Sequence, residues 1–161
     1  MKAMNVRSIL LVGALVFGGI VFNGCGKDDD DANNADKMYA ISGSANGTQM
    51  VPSVTGTGTA NITGTYNANT NVLTYTSTWT GLTGAPTSAA FYSGAAGTSG
   101  AIIGSTWALG SGLTATGTFS GTTTLTDAQE TQLLAGGIYY TYNTTAHATG
   151  EVRGQLTATP Q

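Results

Sequence analysis

Alternation between threonine and large apolar side chains is the feature that most constrains how this chain can fold. In residues 72–80 (VLTYTSTWT), Leu73, Tyr75 and Trp79 fall on one face of an extended segment, and threonines occupy the other face. A period of two is typical of an antiparallel strand with one buried and one hydrated face. Threonine is β-branched and carries a hydroxyl, so it favours strands and also keeps a surface soluble. Only 8% of the residues are charged, which leaves much of the solubility to these hydroxyls.

The same pattern recurs to the end of the chain, and no helical period occurs before residue 125. Further strands are predicted over residues 39–45, 57–66, 88–92, 101–109, 115–123, 137–142 and 151–157. About eight short strands at this spacing predict an all-β fold, which we expect to be an antiparallel Greek-key β-sandwich or barrel.

One short helix is expected to interrupt the series of strands. Thr126 and Gln129 have the spacing of a capping box, in which each side chain bonds the backbone N–H of the other residue. Gly136 then ends the helix, which is predicted over residues 127–134. Either Leu133 or Leu134 is expected to anchor it on the sheet.

The amino-terminal segment has the features of a leader. Lys2 and Arg7 precede an apolar run over residues 9–22, which is too short to span a bilayer. The only cysteine, Cys25, follows almost at once and resembles the cysteine of a bacterial lipobox. The resemblance implies that residues 1–24 are a lipoprotein signal peptide, that Cys25 is lipidated by acyl chains such as palmitate, and that the chain is tethered to a membrane. An ordinary secretory signal followed by a free thiol is the alternative.

An acidic segment follows this cysteine. Residues 25–38 include four consecutive aspartates and are expected to form a flexible tether, because like charges repel one another and stay hydrated. Lys27 and these aspartates look like the export signal of Bacteroidetes-type lipoproteins, which implies an outer-membrane protein exposed on the cell surface. A periplasm-facing anchor is the alternative. Calcium binding is disfavoured, because an unfolded run of aspartates cannot pre-arrange the oxygen ligands.

Four segments carry a further resemblance. They are residues 47–54 (GTQMVPSV), 95–103 (AAGTSGAII), 125–126 (LT) before the short helix, and 150–156 (GEVRGQL), the most specific of the four. Together they resemble the CHRD domain, a module named for chordin that is widespread in microbial secreted proteins. The resemblance covers about residues 41–156, and we assign the CHRD-like domain to residues 39–161. It implies an extracellular β-sandwich or barrel without established catalytic activity.

Histidines that are common in this family are missing here. Ala90, Tyr92 and Asn143 stand where the resemblance would place histidines. If relatives bind a metal there, the resemblance implies that this chain does not, because alanine has no donor atom and Asn and Tyr are weak substitutes for imidazole. The only histidine, His147, is interpreted as an exposed loop residue. We therefore predict no catalytic residues, no metal site and no cofactor.

Four aromatic residues are candidates for ligand contact. Tyr140 and Tyr142 alternate on one face of a predicted strand, and with Tyr92 and Trp107 they are a candidate platform for stacking on sugar rings. Packing in the core is the other interpretation and the one that we favour, because a small β domain needs large side chains to fill it.

Glu151 and Arg153 alternate along the last predicted strand. Arg153 is the only positive charge in the predicted domain, so we interpret it as a partly buried arginine in a structural ion pair with Glu151, also bonded to nearby carbonyls. A ligand-gripping arginine is the alternative.

These features limit the function. A net charge of -3 with few lysines and arginines leaves no basic surface for nucleic acid. We predict a membrane-anchored extracytoplasmic lipoprotein whose β module is a non-catalytic binding or adhesion domain. Its partners are expected to be a glycan, or a protein of the envelope or the host. The alternative is a structural envelope protein that has no soluble ligand.

Overall fold

The computed structural model describes residues 37–161, which form an antiparallel β-sheet and one α-helix. The predicted signal peptide, Cys25 and nearly all of the predicted tether lie outside the described residues. The strands are β1 (Met38–Asn46), β2 (Thr59–Asn67), β3 (Val72–Thr80), β4 (Pro86–Ser93), β5 (Ile102–Ile103), β6 (Gly117–Thr124), β7 (Ile138–Thr144), β8 (Val152–Gln155) and β9 (Thr157–Pro160). The helix α1 spans Asp127–Leu134, and a 3-10 turn (Gly47–Gln49) follows β1.

The sheet curls into a half-barrel. Its strand order is β5-β4-β7-β8-β1-β2-β3-β6, and β9 pairs with β1. All of these pairs are antiparallel. The prediction of an antiparallel all-β fold with one short helix is confirmed. Strands β5 and β6 stand at the two ends of the order and do not pair with each other, so the half-barrel has an open seam between them.

The inner face of the curled sheet holds the core. In β3, Leu73, Tyr75 and Trp79 are buried and the threonines between them are exposed, as the alternation predicted. Ser77 lies on the same inner face and is also fully buried. Neighbouring strands and α1 complete the core with aliphatic and aromatic side chains, among them Ile41, Ile62, Tyr66, Phe91, Leu133, Tyr140, Tyr142 and Val152.

Two strand predictions differ from the structure. The strand predicted over residues 101–109 is limited to β5, because Gly104 has a φ of +68°, which interrupts the extended backbone after Ile103. The strand predicted over residues 151–157 is two strands, β8 and β9. Leu156 separates the two strands, and its backbone N–H donates to the carbonyl oxygen of Ile138 at 2.9 Å. At its other end β8 begins at Val152, so Glu151 lies outside it.

The helix prediction is confirmed at both ends. The Thr126 side chain accepts a hydrogen bond from the Gln129 N–H, and the Gln129 side chain accepts one from the Thr126 N–H. Leu133 is fully buried, whereas Leu134 is 40% exposed. Leu133 is thus the residue that anchors α1 on the sheet.

Candidate functional site

Three of the four aromatic residues predicted to contact a ligand lie in the core. Tyr140 and Tyr142 are fully buried on the inner face of β7, and Trp107 is only 8% exposed. The Tyr140 hydroxyl donates to the carbonyl oxygen of Gly43, and the Tyr142 hydroxyl donates to Ser77 Oγ. The sugar platform predicted for these three residues is wrong, because the curled sheet needs large side chains to fill its inner face.

The fourth aromatic residue, Tyr92, lies on the outer face of the sheet. Its half-buried ring stacks on the ring of Tyr139, with centroids 5.4 Å apart and an interplanar angle of 15°. The Tyr139 hydroxyl accepts a hydrogen bond from the backbone N–H of Gly100 at 3.2 Å. Sequence reasoning missed Tyr139, although its alternation with Tyr140 already placed the two rings on opposite faces. The pairing of Tyr92 with Tyr139 needed the register between β4 and β7.

Arg153 packs on the ring of Tyr139. Its guanidinium carbon lies 3.5 Å from the centroid of the Tyr139 ring, which is a cation–π contact. Its Nη2 donates to the carbonyl oxygen of Ala95 at 2.8 Å and to Gln155 Oε1 at 3.3 Å. The side chain is 2% exposed, and this burial lowers the pKa of Arg153. An arginine remains charged at neutral pH even so, because its reference pKa is so high.

Glu151 does not pair with Arg153 among the residues that the structure describes. Its carboxylate instead accepts hydrogen bonds from the Thr83 N–H at 2.8 Å, from Thr83 Oγ1 at 2.6 Å and from Thr144 Oγ1 at 2.6 Å. Burial tends to raise the pKa of Glu151, but these hydrogen bonds outweigh it and the pKa is lowered. The predicted ion pair is corrected to two separate contacts, because Glu151 precedes β8 and does not follow its alternation. The predicted bonding of Arg153 to carbonyl oxygens is confirmed.

Arg153 borders a groove on the outer face. Two cavities of about 150 and 190 Å³ share the lining residues Met50, Val51 and Arg153. We call the two together the Arg153 groove. The first cavity also contacts Gln49, Ala96, Gly97 and Gln155, and the second contacts Tyr92, Ser99, Gly100, Tyr139, Thr141 and Thr149. The groove therefore combines one guanidinium, an aromatic pair and several hydroxyl groups.

The three positions that the family resemblance equated with histidines lie near this groove. Tyr92 lines it, Ala90 pairs with the groove residue Thr141, and Asn143 Oδ1 accepts a hydrogen bond from Thr141 Oγ1 at 3.2 Å. Within residues 37–161, no group of three or more His, Cys, Asp or Glu side chains is placed to hold a metal ion.

His147 lies in the turn between β7 and β8 and is half-buried, where an exposed position was expected. Its backbone N–H donates to the carbonyl oxygen of Thr144 at 3.1 Å, and its own carbonyl oxygen accepts from the Thr144 N–H at 3.2 Å. His147 therefore closes the turn through its backbone. Its charge is one of the influences that lower the pKa of Glu151.

No helix in residues 37–161 is both long and apolar enough to cross a membrane.

Neither the curated proteins nor the solved structures contain a match to this chain. A family model for the CHRD domain matches residues 41–156, from within β1 to the residue that follows β8. The match includes the GEVRGQL segment that carries Arg153. This chain belongs to the CHRD domain family.

Proposed function

We propose that this chain is a lipid-anchored extracytoplasmic protein of the outer membrane, with a CHRD domain that acts as a non-catalytic binding module on the cell surface. The sequence supports the anchor through the position of Cys25 after the apolar run, and supports surface export through Lys27 and the aspartates. In the proposal, residues 25–36 hold the β domain away from the membrane.

The observation that carries the binding function is that no carboxylate of residues 37–161 neutralises the charge of Arg153. This side chain lines both cavities of the Arg153 groove, and none of the carboxylates in residues 37–161 forms an ion pair with it. A buried guanidinium without a counterion gives its surroundings a positive potential, which favours an anionic ligand. We propose that the ligand is a glycan with carboxylate-bearing sugars.

The rest of the groove suits a saccharide. Tyr92 offers a half-buried aromatic ring, and the hydroxyls of Ser99, Thr141 and Thr149 surround the same cavity. Sugars bind through such a combination, because their C–H faces stack on aromatic rings while their hydroxyls exchange hydrogen bonds with side chains. A protein partner from the envelope or the host remains the second outcome of a binding screen.

The carboxylates of the described domain support a non-catalytic role. Residues 37–161 contain three of them. Asp127 and Glu130 lie in the first turn of α1, and Glu151 is engaged by the two threonines. None of the three lines the Arg153 groove, so no carboxylate is placed there to act as a general acid or base.

A pair of charge substitutions tests the binding site. Val51 lines the groove and is 43% exposed, so Val51→Asp adds a negative charge there without emptying the core. Leu134→Asp is the matched control, because Leu134 is 40% exposed and lies on α1. On an array of acidic and neutral glycans, we expect Val51→Asp to weaken binding of the acidic glycans at least tenfold, and Leu134→Asp to bind as the wild type does.

Equal binding by the two variants would place the ligand elsewhere. Absence of binding to every glycan, together with capture of one envelope or host protein, would favour the protein partner. Absence of both would favour the structural envelope protein.

Protease treatment of intact and permeabilised cells tests the proposed location, with Cys25→Ala as the control for anchoring. Loss of the domain from intact cells supports surface exposure. Protection until the cells are permeabilised supports a periplasm-facing anchor and overturns the proposed export role of Lys27 and the aspartates.

A further inference from the structure

The two cavities of the Arg153 groove offer different groups to a ligand. The cavity of about 190 Å³ is bordered by hydroxyl-bearing side chains, and we call it the hydroxyl cavity. Its hydroxyls belong to Tyr92, Ser99, Tyr139, Thr141 and Thr149. The cavity of about 150 Å³ is bordered by two side-chain amides, those of Gln49 and Gln155, and we call it the amide cavity. Arg153 lines both cavities.

The hydroxyl cavity is rich in hydrogen-bond donors. The hydroxyls of Tyr92, Ser99 and Thr149 form no hydrogen bond with any group in residues 37–161, so each is free to donate to a ligand. The Tyr139 hydroxyl accepts a bond from a backbone N–H and keeps its own hydrogen. Thr141 is the exception, because its hydroxyl already donates to another side chain. A carboxylate, which can only accept, suits such a set of donors.

Arg153 adds two donors that a ligand can reach, although its side chain is 2% exposed. Its Nη2 is used within the fold by the Ala95 carbonyl oxygen and by Gln155 Oε1. Its Nε and Nη1 form no hydrogen bond within residues 37–161. In that part of the chain, Trp107 Nε1 is the only side-chain nitrogen or oxygen that is both closed off from solvent and without a partner. Nε and Nη1 of Arg153 therefore keep contact with solvent.

The way in which Arg153 binds an anion follows from the nitrogen that is already used. A guanidinium holds a carboxylate bidentately through two nitrogens on one edge, and Nη2 belongs to both such edges. Because Nη2 donates to two protein oxygens, a carboxylate receives a single bond from either edge. Its remaining acceptor positions are left for the donors of the hydroxyl cavity.

The amide cavity offers acceptors instead. The Gln155 side chain is fully used, since its Nε2 donates to three backbone carbonyl oxygens and its Oε1 accepts from Arg153. The Thr48 hydroxyl and Gln49 Nε2 also donate within the fold. Thr48 Oγ1 and Gln49 Oε1 accept no hydrogen bond from residues 37–161. A sugar hydroxyl can donate to these oxygens, and a carboxylate cannot.

The size of the groove suits two sugar units. Neither cavity alone has the roughly 300 Å³ at which pockets for drug-sized molecules begin, whereas the two together do. We infer that the Arg153 groove binds two neighbouring units of an acidic glycan, with the carboxylate-bearing sugar in the hydroxyl cavity and a neutral sugar in the amide cavity. Arg153 lies at the junction and bonds the carboxylate. The inference rests on the proposed function and specifies which sugar occupies which part of the same site.

Isothermal titration calorimetry of the protein distinguishes one bound sugar unit from two. The methyl glycosides of glucuronic and galacturonic acid supply a single acidic unit. Disaccharides of either acid with a neutral hexose, in each linkage, supply the pair. We expect at least one disaccharide to bind at least tenfold more tightly than the methyl glycoside of its acid. The corresponding neutral disaccharides are the control and should show no measurable binding.

Variants that fill one cavity at a time test the placement of the two sugars. Ala96 and Thr149 are exposed and line the amide cavity and the hydroxyl cavity, respectively. We expect Ala96→Phe to reduce the affinity for the disaccharide to that for the methyl glycoside, and Thr149→Phe to weaken binding of both ligands at least tenfold. Thr145→Phe is the control, because Thr145 is exposed and lines neither cavity. Thr48→Phe and Ser99→Phe are the second variants if the first two do not fold.

Three results would contradict the inference, and they separate it from the proposed function. Equal affinity for the methyl glycosides and all of the disaccharides would show a single sugar site, and the acidic-glycan proposal would stand. Loss of methyl glycoside binding in Ala96→Phe, but not in Thr149→Phe, would show that the acidic sugar occupies the amide cavity. Absence of binding to every acidic saccharide would overturn the glycan proposal together with the inference.

Discussion

Tyr142 and Ser77 are joined across the core by a buried hydrogen bond of 2.9 Å, although 65 residues separate them in the chain. The Tyr142 hydroxyl donates to Ser77 Oγ, and Ser77 Oγ donates onward to the carbonyl oxygen of Asn61 at 3.2 Å. Burial raises the pKa of Tyr142 to about 12, while the bond to Ser77 lowers it. The chain of bonds links β7, β3 and β2 and explains why a serine occupies the inner face of β3.

A double-mutant cycle measures this link. Ser77→Ala is expected to destabilise the domain by roughly 1–3 kcal/mol, because it leaves the buried Tyr142 hydroxyl without its acceptor. Tyr142→Phe is expected to cost about 1 kcal/mol, since Ser77 keeps its bond to Asn61. Urea unfolding of the wild type, the two single variants and the double variant should give a coupling of about 1 kcal/mol. Strictly additive effects would mean that the bond contributes nothing.

Glu151 should make the domain sensitive to acid. Its pKa in the folded state is held below the ordinary value of 4.5 by hydrogen bonds from Thr83 and Thr144, which outweigh the opposing effect of burial. A lowered folded-state pKa stabilises the protein above the unfolded-state pKa, and this stability is lost as the pH falls through the folded-state pKa. We therefore expect the free energy of unfolding to decline as the pH drops below 4.5.

Glu151→Gln checks this assignment, because the amide keeps the shape of the side chain and cannot titrate. Urea unfolding between neutral and acidic pH should show a less stable variant at pH 7, and a smaller loss of stability on acidification than in the wild type. Parallel pH profiles would contradict the role given to Glu151.

Leu133 and Leu134 form a matched pair on α1. Leu133→Ala should destabilise the domain by about 2–5 kcal/mol, because it leaves a cavity under the helix. Leu134→Ala should change stability by less than about 0.5 kcal/mol, since Leu134 is 40% exposed. Thermal unfolding of both variants is sufficient, and similar losses for the two would mean that α1 does not anchor the sheet through Leu133.

Gly154 is expected to be intolerant of any side chain. An added Cβ would lie 2.7 Å from Tyr140 Cε1 and 2.9 Å from both Ala45 Cβ and the Ser44 carbonyl oxygen. Gly154→Ala should therefore cost about 1–3 kcal/mol through overpacking. Gly84→Ala is the control, because a Cβ at Gly84 meets nothing within 4 Å. Equal stability of the two variants would show that β8 can shift without cost.

Local patterns predicted most of the strands and the helix. The period of two in β3 and the capping box of α1 both depend on neighbours within a few residues, so their bounds follow from the sequence. Residues 104–109 also have a strand-like composition, yet Gly104 turns the chain, and the backbone N–H of Trp107 donates to the carbonyl oxygen of Ala89 at 2.8 Å. That segment is fixed by a contact with β4, which no local pattern contains.

The candidate site was harder to predict, because it depends on which face of each strand points inward. Alternation showed that Tyr140 and Tyr142 share a face, but it did not show that this face is the core. Alternation also placed Glu151 and Arg153 on one face of a single strand. In the structure Gly150, with a φ of +130°, precedes Glu151, and β8 begins only after Glu151.

The sequence by itself determined the class of fold, the strands with clear alternation, the helix and the family, because each of these rests on local geometry or on a short motif. Only the tertiary structure decided that Trp107 belongs to the seam, that Tyr139 lies under Arg153, and that Glu151 bonds two threonines. The reason is physical: these contacts join residues distant in the chain, and they form only when the sheet curls and sets the register of its strands.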